Sequence, residues 1–176
     1  MKIVVAPQAF KGSLSATEVG YSIIQGIQNV IQGAKTILVP VADGGDGTLE
    51  TLVESSKGKI KPITVTGPLG ESQNADWGAL GNNKTAIIEM ARSSGLALVQ
   101  STKLNPLIAT TYGLGEVIFD ALNQGYRDFI IGIGGSATND AGAGMAQALG
   151  VRLLDSKGIE LDFGGSSLSK LSSIDM

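Results

Sequence analysis

Two aspartates three residues apart stand in the segment Asp43-Gly44-Gly45-Asp46-Gly47-Thr48. On a glycine-rich turn such a pair can hold Mg²⁺ through water, or accept a proton from a hydroxyl. The three glycines, Gly44, Gly45 and Gly47, let backbone N–H groups turn toward an anion where the next helix begins. An ordinary turn with one Asp as helix N-cap would use one Asp and one Gly and leave the others unexplained. A second loop, Gly132-Ile133-Gly134-Gly135-Ser136-Ala137-Thr138-Asn139-Asp140, offers N–H groups and the hydroxyls of Ser136 and Thr138 as a phosphate cradle. Close helix–sheet packing through small residues is the alternative there. In Lys11-Gly12-Ser13 an ammonium sits beside a flexible glycine, which suits a phosphate or carboxylate oxygen or, more plainly, solvent before a helix cap. Thr110 and Thr111 precede a helix and serve either as caps or as hydroxyl donors to a site. Arg92 can grip a carboxylate bidentately or hold structure together.

The rest of the composition narrows the chemistry. With no His and no Cys, a Ser-His-Asp hydrolase, a Cys-His protease and a His-ligated zinc enzyme are excluded for this chain alone. Lack of cysteine is compatible with a reducing cytoplasm, the expected location. A net charge of −3 gives no general pull on nucleic acid, and no apolar run is long enough for a membrane span. Twenty-five glycines in 176 residues are about twice the usual share, and they cluster at 44–47, 132–135 and 142–144. Clusters of this kind mark backbone that must approach something closely. No Gly-Lys-Ser/Thr follows a glycine loop, so a Walker A phosphate loop is absent. Gly132-x-Gly134-x-x-Ala137, with Asp155 about twenty residues on, matches the loose dinucleotide fingerprint and would make the chain an oxidoreductase, but a lone match is weak.

These loops need elements to place them. Residues 2–6 read as a buried strand, and Ser15-Ala16-Thr17-Glu18 as a capping box opening an amphipathic helix that stops at Gly33. Residues 36–41 form the next strand, so a parallel βαβ unit is predicted. A helix over 48–56 follows, then strands over 60–66, 73–80 and 85–89 as an antiparallel meander broken at Gly67-Pro68 and Gly81-Asn82. Helix 112–123, strand 128–132, helix 138–149 and strand 151–154 come next, with a turn at 155–158 and a serine-rich tail over 164–176 without a closing element. The fold class is α/β: a Rossmann- or flavodoxin-like portion over 1–60, then part of a second mixed α/β domain over 61–176, both incomplete. The loops at 7–14, 42–47 and 134–140 all follow strands, the edge at which open α/β sheets bind ligands.

Taken in order, Ala6-Pro7 with Phe10-Lys11-Gly12-Ser13-Leu14-Ser15, residues 42–48, Ser94-Gly95-Leu96, Asn105-Pro106 with Thr110-Thr111-Tyr112-Gly113, and residues 131–140 with 142–150 resemble the bacterial-type glycerate kinase family. The likeness covers essentially the whole chain. It implies ATP and Mg²⁺ as cofactors, D-glycerate as substrate, 2- or 3-phosphoglycerate as product, and two α/β domains around a cleft. On it, Lys11, Asp43 and Asp46 are the catalytic candidates, with Mg²⁺ on the two aspartates. Gly44, Gly45, Gly47, Arg92, Thr110, Thr111, Gly134, Gly135, Ser136, Thr138, Asn139 and Asp140 are the substrate or phosphate ligands. The family usually carries Asp-Ser where this chain has Gln8-Ala9, so one carboxylate and one hydroxyl are missing beside Lys11. Its members are about twice this long, and the other half normally adds site segments and completes the first sheet. A remnant that binds ligand without turnover is therefore the alternative to an active kinase, and incomplete sheets favour association of copies.

Overall fold

The structure is a computed structural model that describes residues 1–10 and 13–176. Strand β1 (Lys2–Val5), helix α1 (Ala16–Val30) and strand β2 (Lys35–Leu38) form the expected βαβ unit, with β1 and β2 parallel and Val5 opposite Leu38. The capping box is present. Ser15 Oγ accepts from the Glu18 N–H at 3.2 Å, and the Ser15 N–H donates to Glu18 Oε2 at 2.8 Å. The Ser15 N–H first, then the Ser15 hydroxyl, which donates to Glu18 Oε2 at 2.7 Å, hold the Glu18 carboxyl below its ordinary range. Gly20 sits where α1 crosses β2, because a Cβ there would lie 2.2 Å from Leu38 Cδ1.

Helix α2 (Thr48–Ser56) leads into a four-stranded sheet in the order β3 (Lys59–Thr66), β4 (Ser72–Ala79), β5 (Thr85–Glu89), β6 (Asp128–Gly132). The first three strands are the predicted antiparallel meander, and β6 joins β5 in parallel. Alternation along the strands gives the sheet two apolar faces. On one, Val65, Ala75, Trp77, Ala79, Ala86 and Ile88 pack under helix α4 (Tyr112–Asn123) through Leu114, Val117, Ile118 and Ala121. On the other, Ile87 meets Leu49 and Val53 of α2. The single tryptophan, Trp77, is fully buried; its Nε1–H donates to Asp120 Oδ2 at 2.8 Å and its ring meets Tyr126 edge-on at 5.1 Å.

Between β5 and α4 lies the short helix α3 (Ala91–Ser94), and after β6 come helix α5 (Ala143–Ala148) and strands β7 (Arg152–Leu154) and β8 (Ser173–Asp175). Two expectations are corrected here. The helix predicted over 138–149 begins only at Ala143, because Ala141 and Gly142 take left-handed conformations at φ 52° and 77°. Asp140 also captures the Gly142 and Gly144 N–H groups at 3.2 Å each. The tail does have a closing element: a 3-10 turn over Gly165–Lys170, then β8 antiparallel to β7. Arg152 supports it through Asp175 at 3.6 Å and Glu160 at 3.7 Å.

Candidate active site

The Asp43–Gly47 turn is shaped by its own side chains. Asp43 Oδ1 accepts from the Gly45 N–H at 2.9 Å, and Thr48 Oγ1 accepts from the Gly44 N–H at 3.0 Å. Gly44 and Gly47 have φ of 87° and 90°, which glycine adopts without steric cost. Gly47 occupies the N-cap position of α2 and makes no side-chain cap bond. Neither aspartate is consumed in capping the helix, and both are exposed. The Gly45 N–H first, then the side chain of Gln8, hold the Asp43 carboxyl below its usual range against a desolvation that pushes it up. The turn therefore presents two side chains that are unneutralised by any cation among the described residues; Lys11 and Gly12 lie outside those residues.

The two glycine clusters of the sequence meet face to face. The Gly134 N–H donates to the Gly44 carbonyl at 3.0 Å. A Cβ on Gly132 would fall 2.6 Å from the Gly44 carbonyl oxygen, and one on Gly134 would fall 2.9 Å from Gly45 Cα. Only backbone fits between the loops. One built on Gly135, at φ 72°, would lie 3.5 Å from Asp46 Oδ1, so the Asp46 carboxylate stands beside the second loop. The first loop reaches the same place: the Gln8 side chain lies close enough to Asp43 to favour its carboxylate, and Ala9 Cβ is 3.7 Å from where a Gly47 Cβ would be. Residues 90–96 close the underside, through Met90 N–H to the Gly132 carbonyl at 2.9 Å, Leu96 N–H to Gly135 at 2.8 Å, and Ala137 N–H to Ser94 at 2.9 Å. Ser136 Oγ and Thr138 Oγ1 lie 2.7 Å apart in the second loop, and Asn139 is exposed at its end.

The remaining candidates stand back from this cluster. Thr110, Thr111 and Asp140 are at most 2% exposed. Asp140 Oδ2 accepts from the Thr111 N–H at 2.8 Å and from its hydroxyl at 2.9 Å, while Thr111 Oγ1 accepts from the Met145 N–H at 3.0 Å. Thr110 Oγ1 accepts from the Tyr112 N–H at 3.1 Å. Together they tie α4 to α5 behind the second loop. Arg92 is bound inside the protein to Glu89 at 2.9 Å, to Asp76 at 3.3 Å and to Glu50. Burial works against its charge, but the bonds to Glu89 and Glu50 and their negative charge outweigh this, and its pKa rises. Sequence reasoning missed Glu89; its one signal is a carboxylate closing the apolar strand Thr85-Ala86-Ile87-Ile88. The dinucleotide fingerprint also fails structurally, since Ala137 lies well before the helix that should open there.

A family profile described as "Glycerate kinase family" matches residues 3–176. The chain belongs to this family. It is 53% identical over 176 residues to a glycerate 2-kinase of Escherichia coli (strain K12), covering all of this chain and 46% of that protein. It is 55% identical over 176 residues to a glycerate kinase of Bacillus subtilis (strain 168), with the same coverage. A crystal structure assigned to glycerate kinase 2 of Salmonella typhimurium LT2 superposes with a TM-score of 0.86 at 50% identity, covering 99% of this chain and 47% of that one. The chain thus spans about half the length of the curated relatives it matches. Its mixed α/β architecture is that of the corresponding part of a glycerate kinase.

Proposed function

We propose that this chain carries part of the active site of a kinase that transfers the γ-phosphoryl group of ATP to D-glycerate, giving 2- or 3-phosphoglycerate. The observation that carries this reading is the turn at Asp43–Gly47, with two exposed carboxylates not spent on capping, docked backbone to backbone on the loop at 132–138. In the reaction a glycerate hydroxyl oxygen bonds to the γ-phosphorus, the bond from that phosphorus to the β–γ bridging oxygen breaks, and ADP leaves. Positioning and charge neutralisation carry most of such a catalysis. In this reading Asp46, beside Gly135, orients the hydroxyl and accepts its proton, and Asp43 holds the turn.

The carboxylates also fit Mg²⁺, which takes one or two carboxylates, keeps several waters and is completed by substrate phosphates. Bound there, the ion would neutralise charge on the phosphates. Among the described residues no group of three or more acidic side chains, His or Cys forms a fully protein-made metal site. In this reading Gly44, Gly45, Gly47, Gly134, Gly135, Ser136, Thr138 and Asn139 line the phosphate and substrate space. Arg92, Thr110, Thr111 and Asp140 hold that lining in place, and Lys11 adds positive charge. Location in the cytoplasm belongs to the same reading; no helix of the described residues is long and apolar enough to cross a membrane.

A coupled assay of ADP release with D-glycerate, ATP and Mg²⁺ tests the proposal. Asp46→Asn should lower glycerate-dependent turnover by about 100-fold or more, the scale expected when a positioned proton acceptor is lost, and Asp43→Asn should also lower it by removing a negative charge that would hold Mg²⁺. Near-normal turnover in both variants would overturn the assignment.

A further inference from the structure

Strand β5 is fully buried through Ala86, Ile87 and Ile88, and then ends in a carboxylate, Glu89, only 3% exposed. Alternation puts Glu89 on the same face as Ile87, the face covered by α2. A buried carboxylate is costly unless partners satisfy it. Glu89 has two: Oε1 accepts from the Leu49 N–H at 2.6 Å, and Oε2 accepts from Arg92 Nε–H at 2.9 Å. Arg92 reaches on to Asp76 in β4 and to Glu50 in the first turn of α2.

Helix α2 lacks a side-chain cap of its own, since Gly47 precedes it. Its free N–H at Leu49 is met by Glu89, forty positions away in sequence. The negative charge also suits the positive end of the helix. Leu49 follows Thr48, whose hydroxyl accepts from Gly44 within the turn. Glu89 is moreover paired in register with Gly132, the residue pressed against the Gly44 carbonyl. One strand end therefore sets both sides of the loop-to-loop contact.

We propose that Glu89, held by Arg92, is the positioning residue that fixes the Asp43–Gly47 turn against the loop beginning at Gly132. The proposal deepens the reading of that turn as the reaction site and rests on it. Glu89 acts through Leu49 and Thr48 and touches no reacting atom. Removing its charge lets the start of α2 slide, so the carboxylates of Asp43 and Asp46 lose their placement while the cores of both sheet faces persist.

Glu89→Gln is the decisive variant because it keeps size and one acceptor oxygen but sets an amide against Arg92. Arg92→Met reaches the same bond from the other side. Asp120→Asn, which weakens the Trp77 bond on the opposite face, controls for general loss of stability. In ¹⁵N-labelled chain without ligand, both variants should shift the amides of residues 44–49 and speed Leu49 hydrogen exchange at least about tenfold, as local opening requires. Turnover should fall about tenfold or more in kcat, with KM for D-glycerate changed less than about threefold, the pattern of misplaced chemistry rather than lost binding. Unmoved amides and unchanged Leu49 exchange, or changes no larger than those in Asp120→Asn, would overturn the proposal. The amide shifts and exchange rates are read without substrate. Absence of turnover in the wild-type chain would bear on whether these residues complete the reaction site, while the amides alone decide the role of Glu89.

Discussion

The Asp43 side chain shows how a local bond decides the protonation of a site residue. With the Gly45 N–H and Gln8 both favouring the carboxylate, Asp43 stays ionised below the ordinary aspartate value of about 3.9. A depressed folded pKa contributes stability that is present above the unfolded value and lost as pH falls through the lower folded value. The expected outcome is a ¹³C titration of Asp43 with a midpoint below that of a free aspartate, and a shallower acid limb of the stability curve in Asp43→Asn. The glycines act at the same scale. Gly132→Ala places a methyl 2.6 Å from the Gly44 oxygen, against backbone that has no rotamer to yield. Turnover should drop sharply while the far-ultraviolet circular dichroism spectrum is kept. If the variant turns over like wild type, the close contact has no part in the reaction. Gly26, with nothing within 4 Å of a built Cβ, is the matched control and should tolerate alanine.

Among the elements, Asp140 sets the start of one helix and joins it to another. Asp140→Ala leaves four donors of Thr111, Gly142 and Gly144 short of their acceptor. Loss of about 3 kcal/mol in urea unfolding is expected, with Asp140→Asn retaining part of it. That network also marks where sequence reading stops. The ranges of α2, α4, β5 and β6 are legible because apolar spacing and turn residues act within a few positions of one another. The capping box of α1 is equally local. The late start of α5 depends on a carboxylate bonded to Thr111, twenty-nine positions back, which no periodicity records. The same holds for Glu89 and for β8, which pairs with β7 only after the chain has passed the 3-10 turn over Gly165–Lys170. In the candidate site, the glycine clusters announce close approach, but only the structure says that they approach each other. Arg92, chosen for its ability to grip a carboxylate, grips three within the protein.

At the level of the whole molecule, the two-stranded sheet of β1 and β2 is thinly covered. Val4 of β1 is 59% exposed, and Val39 and Val41, just past β2, are 46% exposed, whereas parallel strands are ordinarily buried on both faces. With only one partner each among the described residues, β1 and β2 also leave an open edge, and such edges template pairing. Copies of the chain are therefore expected to associate as concentration rises, which sedimentation velocity over a dilution series would detect, and Val4→Lys should weaken the association. The burial of Trp77 has a different consequence. It is the only tryptophan, it sits at zero exposure between Asp120 and Tyr126, and it belongs wholly to the four-stranded sheet. Its emission is therefore a lamp in one room of the house: short in wavelength when folded, and silent about β1, β2 and the glycine loops. A melt followed by tryptophan fluorescence times the collapse of that sheet alone, and any helix signal lost at lower temperature measures how far the βαβ unit comes apart on its own.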